Sequence, residues 1–219
     1  MKKFSKMSFP CAGSGILLTL LCVSGIAVPA RAEPERYDFP KAPVRFVSPL
    51  KPVLLEFPEK IKVRREDEIR RESIAAFLQR HNRKLNEKAH EYADLIMQVC
   101  EKFGQDPFVI AALVVTESTA KNDAVSRGGD YGLMQVRWRV HRKKIQDKYP
   151  HIVNARDMFD PRDNLMVGTE IFSTYHATAK QDVRGALMRY SAGNKRMADR
   201  VFALRSQLEK SYLERLRNS

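Results

Sequence analysis

Apolar residues recur along most of the chain at the three- and four-residue spacing of one helix face. Stripes of this kind run over residues 74–85, 89–103, 165–175, 183–190 and 197–208. Residues 107–118, PFVIAALVVTES, are instead apolar on every face, which predicts a buried central helix. We find no convincing strand pattern and no internal repeat. The sequence therefore predicts an all-α fold, with a compact multi-helix domain over residues 86–212.

Helix boundaries are marked by residues with strong end preferences. Gly104 is placed to stop the helix before it, because glycine readily adopts the left-handed conformation that ends many helices. Asp106-Pro107 and Asp160-Pro161 each combine an N-cap aspartate with a proline at the first helical position. These pairs predict helices that begin near residues 107 and 161.

The first 32 residues have the pattern of a secretory signal peptide. Lysines near the start precede an apolar stretch over residues 15–28 and an Ala30-Arg31-Ala32 cleavage pattern. The stretch is shorter than the ~20 residues that a membrane-spanning helix needs, so we favour cleavage over an uncleaved membrane anchor. We expect a mature chain that begins at Glu33, has no transmembrane segment and is periplasmic or secreted.

Proline content defines the next segment. Six prolines fall between residues 33 and 60, and proline removes a backbone donor and disfavours a helix interior. We predict a Pro-rich arm or linker over residues 33–65 and a helical lead-in over residues 66–85.

Charge and cysteine content limit the partners and cofactors. The formal charge of +13 falls to +9 when the four basic residues of the signal are removed, so the mature protein should be attracted to anionic polymers or surfaces. Nucleic acid is not expected as a partner outside the cytoplasm. Outside the signal Cys100 is the one cysteine, which excludes an intrachain disulfide and a cysteine zinc site. The histidines also lack metal-ligand spacing, so no metal and no cofactor is predicted.

Glu117 is the candidate for chemistry because it ends the apolar helix. Burial among apolar residues disfavours the ionised carboxyl and should raise its pKa. A carboxyl that stays protonated near neutral pH can act as a general acid on a glycosidic oxygen. The alternative is a structural glutamate that ends the helix at the surface beside a lysine.

The loop after Glu117 carries a specific motif: Ser118 directly after it, Ser126 nine positions on, Gly129 twelve on, and Gly132-Leu133-Met134-Gln135 from position fifteen. In this motif the sequence resembles the soluble lytic transglycosylase family, whose domain has the fold of goose-type lysozyme. The segment from Asp160-Pro161 to Asn164 and the segment YSAG, residues 190–193, also resemble family motifs. The resemblance covers roughly residues 86–205.

The resemblance implies a role for each matching residue. Glu117 would be the sole catalytic acid and base, and the substrate-binding residues would be Ser118, Ser126, Gly132, Met134, Gln135 and Tyr190. Among these, Ser126 would lie near the reacting sugar, Gln135 would hydrogen-bond the glycan and Tyr190 would position Glu117. The alternatives are structural: Ser126 caps a turn, Gln135 caps a helix, or Tyr190 belongs to the core.

The sequence departs from the family pattern in two places. Ser191 stands where the family usually has asparagine, and the shorter serine cannot span the same gap. After Gln135 the chain continues with the basic run RWRVHRKK, residues 137–144. This run is either a solvated helix face anchored by Trp138, or a subsite in which Trp138 covers a sugar and the cations meet carboxylates of a peptide-substituted glycan.

The resemblance implies an exported enzyme that cleaves the β-1,4 bond between N-acetylmuramic acid and N-acetylglucosamine in peptidoglycan, releasing a 1,6-anhydro sugar. Two alternatives stay open. One is a hydrolytic muramidase of the same fold, which would need a second carboxyl such as Asp123 or Asp130. The other is a wall-binding accessory protein of an envelope-spanning secretion or appendage machine.

Overall fold

A computed structural model of the protein describes residues 58–219. Across this part the chain forms seven α-helices: α1 (Pro58–His81), α2 (Lys88–Phe103), α3 (Pro107–Ser118), α4 (Trp138–Lys148), α5 (Pro161–Thr178), α6 (Val183–Tyr190) and α7 (Lys195–Arg217). Two short 3-10 helices, Arg83–Leu85 and Ala155–Phe159, join them. The predicted all-α class is confirmed. The predicted signal and the part of the arm over residues 33–57 lie outside the described residues.

Helix α3 occupies the centre of the core. Every residue from Phe108 to Val115 is buried, as its uniformly apolar sequence predicts. The surrounding core comes from the apolar faces of α1, α2, α5, α6 and α7. Because α3 is enclosed on all sides, its position and the direction of its C-terminal end are tightly fixed.

The predicted helix boundaries are confirmed by their capping contacts. Gly104 ends α2 in the left-handed conformation, with a φ of 62°. The Asp106 carboxylate accepts a hydrogen bond from the backbone N–H of Phe108 at 2.8 Å. The Asp160 carboxylate accepts one from the backbone N–H of Asp163 at 3.0 Å. Each side chain satisfies a backbone donor that the first helical turn leaves free.

The boundary of the Pro-rich arm differs from the prediction. We predicted an arm extending to residue 65, but α1 begins at Pro58, so residues 58–65 are helical. A proline is tolerated in the first turn of a helix, and the charged residues that follow it are good helix formers. Residues 66–81 are helical as predicted, and Ile74, Phe77 and Leu78 pack into the main core. No helix within residues 58–219 is both long enough and apolar enough to cross a membrane.

A small hairpin corrects the expectation that the chain has no strands. Strands β1 (Asp130–Tyr131) and β2 (Val136–Arg137) pair antiparallel, with Asp130 opposite Arg137. Residues 132–135, the GLMQ string, form the turn between them. Strands of two residues are too short to show an alternating pattern in the sequence. Val136 anchors the hairpin in a second apolar cluster with Ile145, Ile152, Met158 and Val167.

Candidate active site

Glu117 lies in the last turn of α3. The helix stops at Ser118 because Thr119 adopts the left-handed conformation, with a φ of 55°. The Glu117 side chain is partly buried and lines a cavity of about 280 Å³. The helix thus carries a carboxyl from the apolar core to the edge of a cleft.

The end of α3, the hairpin, α4, α5 and the junction of α6 with α7 form this cavity. Gln135 and Tyr190, both predicted for the site, line it together with Glu117. The lining also includes residues that the family resemblance did not single out, namely Asp130, Arg137, His141, Tyr175, Arg189 and Asn194. A larger cavity of about 710 Å³ lies among α1, α2 and α7, but none of the predicted site residues lines it.

The Glu117 carboxyl is held in an environment that favours its neutral form. Burial raises its pKa from 4.5 to about 7, and the negative charge of Asp130 acts in the same direction. The positive charge of Arg137 opposes both effects and is the smallest of the three. Within residues 58–219 the carboxyl has no hydrogen bond or salt bridge that would fix it as an anion. The predicted rise of this pKa is confirmed, and the group can both give and take a proton near neutral pH.

Asp130 is the second carboxylate of the cavity, and it is paired with Arg137. Arg137 lies opposite it in the hairpin and binds it through two hydrogen bonds, Nε to Oδ1 at 2.6 Å and Nη2 to Oδ2 at 3.2 Å. The Ser126 hydroxyl donates to Oδ2 at 2.9 Å. The Arg137 hydrogen bond is the main cause that lowers the pKa of Asp130. Asp130 therefore stays ionised over the pH range in which Glu117 titrates.

The GLMQ turn is held from beneath by the side chain of Asn164, which is buried in α5. The Asn164 amide oxygen accepts from the backbone N–H of Met134 at 2.8 Å. Its amide nitrogen donates to the backbone carbonyls of Tyr131 and Met158, both at 2.8 Å. Gly132 must be glycine because its φ is +76° and an added Cβ would lie 2.2 Å from the Asn164 nitrogen. The family-like segment that contains Asn164 thus fixes the GLMQ turn.

Three residues predicted to bind substrate support the turn instead of lining the cavity. Ser118, Gly132 and Met134 are buried and contribute no surface to the cavity wall. The Ser118 hydroxyl donates to the backbone carbonyl of Leu133 at 2.8 Å and so ties the end of α3 to the turn. The contacts of these residues support the turn, and their assignment to the substrate stays a prediction.

Ser126 and Gln135 both hydrogen-bond the loop between α3 and β2. Ser126 caps a turn, since its hydroxyl accepts the backbone N–H groups of Gly128 and Asp130 at 3.1 Å. The Gln135 amide nitrogen donates to the carbonyls of Ala124 and Gly132 at 3.1 and 2.9 Å. Both of its protons are therefore used, and the group that Gln135 can offer a ligand in the cavity is its amide oxygen, an acceptor.

Tyr190 lies beside Glu117 but does not make its hydrogen bond there. Its hydroxyl donates to the backbone carbonyl of Met134 at 2.8 Å. Burial raises the pKa of the phenol well above its ordinary value, and the charge of Glu117 adds to this effect. The Tyr175 ring meets the Tyr190 ring edge-on, with centroids 6.3 Å apart. Tyr190 therefore joins the cavity wall to the GLMQ turn. It lines the same cavity as Glu117, but its hydroxyl donates to the turn and not to the Glu117 carboxyl.

The structure divides the basic run into an inner and an outer set. Arg137 and His141 line the cavity, while Arg139, Arg142 and Lys143 are exposed and line none of the described cavities. Trp138 packs on the second apolar cluster and is absent from the lining of the cavity at Glu117. The interpretation of Trp138 as an anchor fits this position, and its role as a sugar platform stays a prediction.

Sequence reasoning missed the pairing of Arg137 with Asp130 and the presence of Tyr175 in the wall. The pairing depends on a strand register that two-residue strands do not reveal. Tyr175 belonged to an apolar helical stripe, so only its position near Glu117 distinguishes it from a core residue. Among residues 58–219, no group of three or more His, Cys, Asp and Glu side chains is arranged to hold a metal ion.

The fold and the cavity define one class of helical domain. A buried central helix carries a carboxyl of raised pKa at its end, a glycine-dependent turn is held by a helix asparagine, and tyrosines line the cavity. The model of the transglycosylase SLT domain matches residues 94–212. The chain belongs to the transglycosylase SLT domain family.

Individual relatives share part of this region. The membrane-bound lytic murein transglycosylase C of Edwardsiella ictaluri is 36% identical over 87 residues, which covers 39% of this chain and 24% of the relative. The protein of the same name from Photorhabdus laumondii is 33% identical over 110 residues, covering 48% of this chain and 30% of the relative. The similarity thus spans less than a third of the length of either curated relative.

Proposed function

We propose that this protein is an exported peptidoglycan lytic transglycosylase. The relatives are named murein transglycosylases, and the family match includes Glu117 and the GLMQ turn. The observation that carries the proposal is the contrast between two neighbouring carboxyls. Glu117 has a pKa of about 7, whereas Asp130 is held ionised by Arg137 and Ser126. Glu117 can therefore release and regain a proton near neutral pH, whereas Asp130 stays ionised there.

The proposed reaction uses Glu117 twice. Its carboxyl first donates a proton to the glycosidic oxygen, and the bond from that oxygen to C1 of the N-acetylmuramic acid breaks. The C6 hydroxyl of the same sugar then attacks C1, and the Glu117 carboxylate takes the hydroxyl proton. The products are one fragment with a free C4 hydroxyl on its N-acetylglucosamine and one that ends in a 1,6-anhydro sugar, and Glu117 is protonated again. No water is consumed, so the reaction balances with Glu117 as its one acid and base.

Asp130 is poorly suited to support hydrolysis, in which water would attack C1 instead of the C6 hydroxyl of the sugar. A retaining hydrolase needs a second carboxylate as nucleophile, and an inverting one needs it as a base for water. Both oxygens of Asp130 accept hydrogen bonds from Arg137, and one also accepts from Ser126. These contacts lower the basicity of Asp130. Its proposed role is to raise the pKa of Glu117 by its charge.

The test compares three variants on purified sacculi. Glu117→Gln should abolish cleavage while the circular dichroism spectrum is kept, and Asp123→Asn should retain full activity as the exposed control. Asp130→Asn should retain substantial activity, because its carboxylate forms no bond to the substrate. Products should be lighter by one water than hydrolysis products and should lack a reducing end. Reducing-end products together with an inactive Asp130→Asn variant would assign a muramidase instead.

Export is part of the proposal and rests on the signal pattern of residues 1–32. N-terminal sequencing of the protein from the cell envelope should begin at Glu33, and a chain that still begins at Met1 would contradict export. Service to an envelope-spanning secretion or appendage machine stays a prediction.

A further inference from the structure

A second cavity, between α4 and α5, borders the cavity at Glu117. The second cavity has a volume of about 260 Å³ and shares two wall residues with the first, His141 and Ile171. One wall is formed by the α4 residues His141, Lys144, Ile145 and Lys148, which lie at the spacing of one helix face. The opposite wall comes from α5 residues at the same spacing, including Glu170. We refer to this second cavity as the side chamber.

The charges of this chamber leave one cation without a partner. Lys148 forms a salt bridge with Glu170, and the Tyr149 hydroxyl donates to the same carboxylate at 2.6 Å. Lys144 lines the chamber and, within residues 58–219, makes no hydrogen bond or salt bridge. Glu170 is the one acid in the wall, so the chamber carries a net positive charge when His141 is neutral.

His141 stands at the junction of the two cavities. Burial lowers its pKa, and the positive charges of Lys144 and Arg137 lower it further. A neutral imidazole offers one donor and one acceptor and adds no charge to the junction. The electrostatic preference of the chamber is therefore set by Lys144.

We propose that this chamber binds a carboxylate of the stem peptide on the N-acetylmuramic acid that lies beside Glu117. The proposal rests on the function proposed above. The sugars of the glycan strand are neutral, whereas the peptide branch that leaves the muramic acid ring carries free carboxylates. A cation in the side chamber can pair with a carboxylate of that branch, whereas the sugars of the strand offer it no anion. The free lactyl carboxylate of a peptide-free muramic acid offers the same chemistry from a second source.

The test uses two substitutions on one helix with the same change of charge. Lys144→Glu reverses the cation of the chamber, and Lys143→Glu reverses its neighbour. Both lysines are exposed, but Lys143 lines none of the described cavities. Both variants weaken the long-range attraction to the anionic wall equally, so the difference between them reports the chamber. The substrates are peptide-bearing glycan strands and strands stripped of peptide by an amidase, and the measured quantity is kcat/KM.

On peptide-bearing strands we expect kcat/KM of Lys144→Glu to be up to about tenfold below that of Lys143→Glu, because the reversal replaces an attraction between exposed charges by a repulsion. On stripped strands the two variants should agree within about twofold. A deficit of Lys144→Glu on stripped strands alone would assign the cation to the lactyl carboxylate, which is free only there. An equal deficit on both substrates would show an effect that does not depend on the peptide, and either result overturns the stem-peptide assignment. Agreement of the two variants on both substrates would show that the chamber is not a binding subsite.

A binding measurement separates failure of this proposal from failure of the proposed function. If the wild-type chain cleaves neither substrate, the proposed function fails. Pull-down of the Glu117→Gln chain on the same two strands, with and without the Lys144→Glu substitution, then tests the chamber by the same contrast. Peptide-dependent retention that Lys144→Glu removes supports the subsite, and retention that ignores the peptide overturns it.

Discussion

Replacing Glu117 by glutamine should stabilise the protein at alkaline pH while it removes activity. In the unfolded chain the carboxyl titrates near 4.5, and in the folded protein it titrates at about 7. At roughly 1.4 kcal/mol for each pH unit, this difference corresponds to about 3 kcal/mol of unfolding free energy. Because the side chain is only partly buried, this figure is an upper value.

The direction follows from the protons bound by each state. Below pH 4.5 the carboxyl is protonated in both states and contributes nothing. Between 4.5 and about 7 the unfolded chain loses the proton and the folded chain keeps it, so stability falls as pH rises. Above about 7 the folded protein holds a desolvated carboxylate at the full cost. Glutamine is neutral throughout and avoids that cost.

Urea unfolding of the wild-type protein and Glu117→Gln at about pH 4 and pH 8 measures the effect. The variant should match the wild type at the lower pH and exceed it by up to about 3 kcal/mol at the higher pH. Glu101→Gln, at an exposed glutamate, should show no such divergence. A gain of equal size at both pH values, or no gain at pH 8, would refute the view that burial of Glu117 raises its pKa.

Three further substitutions test the surroundings of Glu117. Asp130→Asn removes a negative charge that raises the pKa of Glu117, so the alkaline limb of the pH–activity profile should move to lower pH; an unmoved limb would contradict this coupling. Gly132→Ala should destabilise by more than about 2 kcal/mol, because the new Cβ would overlap the buried amide beneath it. The matched variant Gly129→Ala, also at positive φ but in open space, should lose only about 1 kcal/mol in thermal or urea unfolding, and equal losses would argue against the overlap. Tyr190→Phe leaves a buried carbonyl unpaired and should lower the unfolding free energy by about 1–3 kcal/mol; an unchanged value would show that water replaces the phenol.

Helix ends and the raised pKa of Glu117 could be predicted because their causes are local. Asp106 and Asp160 cap helices through donors two and three residues away, and Gly104 ends one by its own backbone conformation. The raised pKa of Glu117 follows from its place in an apolar helix, which the sequence shows directly. In each case the physical cause lies within one or two helical turns.

The contacts that could not be predicted from the sequence join residues that only the fold brings close together in space. Asp130 meets Arg137 through the register of a hairpin too short to leave a pattern. Ser118 was assigned to the substrate from its place in a motif, yet its hydroxyl bonds the backbone carbonyl of Leu133. A motif identifies which residues matter, but it does not separate those that touch a ligand from those that hold the loop.

The side chain of Asn164 has a consequence for protein engineering. Its amide makes three hydrogen bonds to backbone atoms, two on the hairpin and one at Met158. The GLMQ turn therefore depends on a side chain that lies thirty residues further along the chain. A graft of the turn alone into another helical scaffold would leave the Met134 N–H and the Tyr131 carbonyl without their partner. A working transplant has to bring the first turn of α5 with it, in register, as a single cassette.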